Sequence, residues 1–160
     1  AIEQSIADPE RICLVGASYG AYAAMVGLAR EPDLYRCGVG YVGVYDLPMM
    51  TRDRVRLGKA TANWIAEWIG EGQALVDTSA TTLAAKIVDP VLLVAGGRDL
   101  IAPPAHTEAM AAALEDAGAA VETFYAPNEG HGFHTEANRR EYLTRLLEFL
   151  SRHLGGAKAG

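Results

Sequence analysis

Ile12-Cys13-Leu14-Val15-Gly16-Ala17-Ser18-Tyr19-Gly20-Ala21-Tyr22-Ala23-Ala24-Met25-Val26 decides the fold. The apolar run 12–15 reads as a buried strand, Gly16-Ala17-Ser18-Tyr19-Gly20 as a tight turn, and 21–26 as the start of a helix. A strand that reverses sharply into a helix crowds its own backbone, and residues without a Cβ let a central serine project from the strained turn. The Ser18 hydroxyl is then exposed at the carboxyl edge of a sheet, beside a helix N-terminus whose unpaired N–H groups and dipole favour negative charge. Ser18 is therefore the candidate nucleophile of a hydrolase, with the backbone N–H of Tyr19 as an oxyanion donor.

A Gly-x-Ser-x-Gly pentapeptide in a chain with 17 glycines needs partners, and the expected order is nucleophile, acid, histidine. Pro90-Val91-Leu92-Leu93-Val94-Ala95 is a second buried-strand pattern and runs into Gly96-Gly97-Arg98-Asp99, which makes Asp99 the acid candidate. Asp46 and Asp77 are weaker rivals with no strand end before them, and the competing reading of Asp99 is a cap on the segment leading to Pro103-Pro104. Val121-Glu122-Thr123-Phe124-Tyr125-Ala126 alternates like a strand, and Pro127-Asn128-Glu129-Gly130-His131-Gly132-Phe133 follows as a loop, which makes His131 the base candidate. His131 and His134 have a spacing compatible with metal ligation, but no cysteine or carboxylate cluster completes a site. His106 and His153 read as solvent-facing helix residues.

Gly16-Ala17-Ser18-Tyr19-Gly20-Ala21-Tyr22, Pro90-Val91-Leu92-Leu93 with Gly97-Arg98-Asp99 and Ala102-Pro103, and Glu129-Gly130-His131-Gly132-Phe133 together resemble the three catalytic blocks of the prolyl oligopeptidase family. The likeness is nearest to its acylaminoacyl-peptidase and dipeptidyl-peptidase branches and runs over about 8–154. Ala21 departs from the pattern, which has a second glycine there. The resemblance implies an α/β-hydrolase fold and a Ser18-Asp99-His131 triad that cleaves short peptides through an acyl-enzyme, with no cofactor and no metal. It also implies that Val44, Leu47 and Met50, in the loop after the second strand, help line the pocket for the residue before the scissile bond, with Tyr19 and Tyr22 as neighbours, the competing reading being plain loop packing. Residues 1–154 would be the C-terminal part of the catalytic domain and 155–160 a flexible tail. A second oxyanion donor would come from a tyrosine of the other half, so this piece alone is expected to be feeble. The alternatives are a carboxylesterase or dienelactone-hydrolase-like enzyme, and a non-catalytic assembly module.

The remaining features set limits. A net charge of -6 argues against a nucleic-acid partner, which calls for a basic face. No stretch approaches the ~20 apolar residues of a membrane span, so no membrane partner is expected. Repeated β-α units predict a mostly parallel sheet of about four strands, over 12–16, 37–42, 91–95 and 121–126, with helices over 19–29, 60–69, 104–117 and 137–153. Residues 1–7 read as the end of a helix that stops at Asp8-Pro9. With the other half absent, the 12–16 strand would expose an apolar edge that invites the missing half or a second copy. Arg52, Arg54, Arg56 and Lys59 read as a solvated basic stretch, and Trp64, Ile65, Trp68 and Ile69 as a helix packing face. Cys13 and Cys37 are expected to be reduced and structural, and the compartment stays open.

Overall fold

Every apolar run singled out above becomes a strand of one parallel sheet. The computed structural model of the chain describes residues 2–55 and 58–156; Arg56, the side chain of Arg54 and residues 157–160 of the tail lie outside them. The elements are β1 (Cys13–Ala17), α1 (Tyr19–Arg30), β2 (Cys37–Tyr41), α2 (Leu47–Val55), α3 (Lys59–Trp68), α4 (Gln73–Thr78), α5 (Ala80–Leu83) with a following 3-10 turn, β3 (Val91–Gly96), α6 (Pro104–Asp116), β4 (Val121–Ala126) and α7 (Glu136–Leu154). The strands lie in the order β1-β2-β3-β4, all parallel.

Alternation along β3 fills both faces of the sheet. Val91 and Leu93 point into a core with Met25 and Leu28 of α1 and Met110 and Leu114 of α6, while Leu92 and Val94 point the other way toward Phe149 of α7. All six residues of β3 are buried, as a strand covered on both faces requires. The apolar stripe of α7 faces that second core through Tyr142, Leu146, Phe149, Leu150 and Leu154. Pro104 opens α6, and Gly118 just past its end takes a left-handed φ of 78°. The parallel arrangement puts the carboxyl ends of all four strands on one edge, where Ser18, Asp99 and His131 all lie.

Four expectations are corrected. Residues 2–5 form turns rather than a helix end. Leu47 and Met50 lie on α2 rather than in a loop; the Asp46 carboxylate accepts the Met49 N–H at 2.7 Å and so caps that helix, with Pro48 in its first turn. His106 is buried rather than solvent-facing, because its Nδ1 accepts the N–H groups of Tyr45 and Asp46 at 3.2 and 3.4 Å and holds the β2–α2 connection. Cys13 and Cys37 are register partners on neighbouring strands, 4.7 Å apart at Cα, and are joined as a disulfide rather than reduced. The α1 crossover aligns two cysteines 24 residues apart in sequence, a spacing that by itself specifies no contact.

Candidate active site

Ser18 sits one residue beyond β1 with φ 55° and ψ -122°, a backbone conformation that a residue with a side chain rarely adopts. The turn is tied at both ends: the Ser18 N–H donates to the Tyr41 carbonyl at 2.9 Å, and the Ser18 carbonyl accepts the Ala21 N–H at 3.1 Å. Gly16 is required, since a Cβ there would overlap the Gly20 carbonyl. Gly20 is not required in that sense, because a Cβ there would meet nothing within 4 Å. Tyr19 is the first residue of α1, so its N–H lacks an intrahelical acceptor and is available at the positive end of the helix.

Asp99 follows β3 through a turn in which its N–H donates to the Gly96 carbonyl at 3.2 Å. One carboxylate oxygen accepts the N–H groups of Ile101 and Ala102, both at 2.8 Å, so the capping role weighed from the sequence is present. The other oxygen faces His131 Nδ1 at 2.8 Å, and the side chain is fully buried. Asp99 therefore makes the capping contacts with one oxygen and the His131 contact with the other. His131 Nε2 stands 3.0 Å from Ser18 Oγ. An ionised carboxylate only accepts, so Nδ1 carries the proton and Nε2 is left as the acceptor facing the serine hydroxyl.

The loop that carries His131 is anchored by a residue the sequence reading quoted but gave no role. Glu129 accepts the N–H groups of His134 and Thr135 and the Asn138 amide at 2.8–2.9 Å. The His134 N–H foremost, then Thr135 and Asn138, bring its carboxyl from 4.5 down to about 2 against the opposing effect of burial. A carboxylate in the loop leading to the N-terminus of α7 was the available signal. His134 contributes its main chain to this anchor, and no group of three or more His, Cys, Asp or Glu among the described residues is arranged to hold a metal.

The four pocket candidates separate. Val44 and Leu47, 2 % and 1 % exposed, are buried with Met50, Leu75 and Ala102 in a small core beneath the edge. Tyr22 packs against that core and donates its hydroxyl to the Thr78 carbonyl at 2.9 Å. Met50 also reaches a cavity of about 130 Å³ that it lines with Tyr19, Trp64 and Ile69. Only Ile65 of the predicted packing stripe on α3 is buried; Trp64 and Trp68 are 51 % and 68 % exposed. Trp64 thus lies on an open face that shares a cavity with Tyr19, which periodicity alone did not distinguish from a core position. Burial and the neighbouring Tyr22 ring raise the Tyr19 hydroxyl above its ordinary pKa, so it stays protonated beside the cavity.

Known proteins are similar to this chain in sequence and in fold. A dipeptidyl aminopeptidase BIII of Pseudoxanthomonas mexicana is 27% identical over 98% of the chain and 24% of its own length. A puromycin-hydrolysing peptidase of Mycobacterium tuberculosis superposes with a TM-score of 0.87 and 27% identity over 99% of the chain and 24% of that protein. An acylaminoacyl peptidase of Pyrococcus horikoshii shares the fold, with a TM-score of 0.83 and 22% identity over 99% of the chain and 27% of its own length. The chain thus spans about a quarter of the length of these proteins. The parallel four-stranded sheet with its flanking helices is that of α/β-hydrolase peptidases. The profile of the prolyl oligopeptidase family matches residues 1–157, and the chain belongs to that family of peptidases.

Proposed function

We propose that this chain carries the nucleophile, base and acid of a serine peptidase that cleaves short peptides through an acyl-enzyme, residues 1–154 being part of an α/β-hydrolase catalytic domain. The observation that carries the reading is the pair of contacts at His131: Nε2 to Ser18 Oγ at 3.0 Å and Nδ1 to Asp99 Oδ2 at 2.8 Å. As Ser18 Oγ attacks the scissile carbonyl, His131 Nε2 takes its proton, and the carbonyl oxygen becomes an oxyanion that the Tyr19 N–H stabilises. Collapse of the tetrahedral intermediate breaks the C–N bond, and His131 passes the proton to the departing amine. Water then attacks the acyl-Ser18 ester by the same route in reverse, with Asp99 holding the imidazole in the working tautomer and stabilising the imidazolium. The cavity of Tyr19, Met50, Trp64 and Ile69 suits an apolar side chain next to the scissile bond. The peptidase names of the relatives favour an amide over a simple ester.

The test uses the full-length protein that carries this chain. A fluorophosphonate probe is expected to label Ser18, with labelling lost in Ser18→Ala and His131→Ala. Aminoacyl and acylaminoacyl anilides are expected to turn over with higher kcat/KM than simple alkyl esters. Labelling that survives Ser18→Ala overturns the mechanism, and turnover of esters with none of anilides moves the reading to a carboxylesterase.

A further inference from the structure

Tyr41, the last residue of β2, touches both halves of the site with two different groups. Its carbonyl accepts the Ser18 N–H at 2.9 Å, and its hydroxyl accepts the Phe133 N–H at 2.6 Å, two residues beyond His131. The ring between these groups is fixed. It stacks on Tyr142 with centroids 4.5 Å apart and planes 18° apart, and meets the Phe133 ring edge-on at 5.2 Å. The backbone is fixed as well: Val42, the next residue, has a φ of 44° and donates its N–H to the Val94 carbonyl at 2.7 Å. A β-branched residue keeps that φ only where its surroundings over-determine it.

The other side of His131 is held by a separate contact, since the Glu129 carbonyl accepts the Arg98 N–H at 2.8 Å, next to Asp99. Glu129 closes the His131 loop on itself, and two contacts tie that loop to the rest of the site, one on the turn that carries Asp99 and one on the residue that holds Ser18. We propose that Tyr41 is a positioning residue that sets the distance between Ser18 Oγ and His131 Nε2, a role that rests on the serine-peptidase reading above. One rigid side chain gauges the gap between two segments 113 residues apart in sequence. Burial raises the hydroxyl's pKa, so it remains a neutral acceptor over the working range. Removing it leaves the Phe133 N–H unpaired and the His131 loop free to drift on the serine side, while the Asp99 side keeps its own bond.

The variant is Tyr41→Phe in the full-length protein, which keeps the ring, its stacking and the main-chain carbonyl. The expected result is a fall of about 10- to 100-fold in kcat and in the rate of fluorophosphonate labelling, with KM little changed. Active-site titration is expected to count as many reactive sites as in the unmodified enzyme. The low-field NMR signal of the His131 Nδ1 proton bound to Asp99 is expected to persist. A kcat and labelling rate equal to those of the unmodified enzyme overturn the proposal, as does a loss wholly explained by fewer titratable sites, which is merely structural damage. Ser18→Ala runs alongside: labelling that persists there removes the serine reading and this proposal together, whereas its loss there with unchanged rates in Tyr41→Phe overturns the positioning role alone.

Discussion

Gly96, the last residue of β3, lies directly beneath the Gly130 carbonyl, with no room between them for a side chain. The adjoining Gly97 is also held tightly, against Pro127. The turn after β3 and the loop after β4 therefore meet backbone to backbone, and this close approach is what brings Asp99 and His131 to 2.8 Å.

Gly96→Ala is accordingly expected to push the His131 loop away. The expected cost is about 1–3 kcal/mol of stability and a drop in Ser18 labelling of about 100-fold. Gly20→Ala is the contrast, since nothing lies within 4 Å of the added methyl and a helical alanine reduces the freedom of the unfolded chain. It is expected to be neutral or stabilising by about 0.5–1 kcal/mol. Thermal melts and labelling rates on the two variants check both; equal damage from each would show that crowding at Gly96 is not the cause.

Glu129 gives the fold an acid sensitivity whose sign is fixed. Its carboxyl titrates at about 2 when folded against 4.5 in its ordinary state, so the ionised anchor contributes its full stabilisation above 4.5. That contribution drains as pH falls from 4.5 toward 2. Glu129→Gln, which cannot accept every N–H offered, is expected to be less stable near neutrality, with the gap to the unmodified protein narrowing through that acid range. Denaturant midpoints measured across it test this; a constant gap would mean the carboxylate's charge is not what anchors the loop.

The four strands and the long helices were legible because their apolar periods are the direct imprint of burial on one face or two. The edge on which Ser18, Asp99 and His131 gather was legible too, since each follows a strand and parallel strands share one carboxyl end. What escaped depends on contacts between distant residues. The α2 helix carried a signal, Asp46 two positions before Pro48, that reads equally well as a turn. The buried state of His106 depends on two N–H groups 60 and 61 residues away, and the Cys13–Cys37 pairing on strand register. Trp64 and Ile65 sit side by side in sequence, yet one is exposed and the other buried, because α3 turns a narrower face inward than its apolar content suggests.

Tyr45 is fully buried, and its hydroxyl has no hydrogen-bond partner among the described residues. It lies against Gly40 and Gly43, where a Cβ would overlap it. Burial, and to a lesser degree the nearby Tyr125, pushes its pKa far above the ordinary value for tyrosine. Tyr45→Phe is therefore expected to be neutral or stabilising by about 1 kcal/mol. Gly40→Ala alone is expected to cost about 1–3 kcal/mol, and the double variant should recover part of that. Additive changes in a double-mutant cycle would refute the contact as the cause.

The outer edge of β1 has no partner strand among the described residues, and Val15 on that strand is 53 % exposed. Unpaired N–H and C=O groups beside apolar side chains invite a further strand. Produced on its own, the 160-residue chain is expected to self-associate through this edge, most simply as a two-fold dimer. Light scattering at tens of micromolar decides it, and a monodisperse monomer would mean that other residues protect the edge. A lysine at Val15 should weaken association, because a charge on an edge strand resists pairing.

On the proposed peptidase reading, the cavity that Tyr19 lines is expected to set substrate choice. Tyr19 joins it to Ser18 by a single peptide bond, and Met50, Trp64 and Ile69 complete the lining of a cavity of about 130 Å³. Contacts made there hold a substrate side chain rather than the atoms whose bonds change, so they should be as strong in the bound substrate as in the transition state. Trp64→Ala in the full-length protein is therefore expected to raise KM about tenfold, with kcat little altered, for anilides with a large apolar residue before the scissile bond. Substrates with alanine at that position should be nearly indifferent, since they leave the Trp64 wall untouched. Steady-state kinetics on the two substrates in both proteins measure the difference. An equal effect on both would mean that Trp64 shapes the edge as a whole rather than this pocket, and a fall in kcat alone would place its action on Ser18.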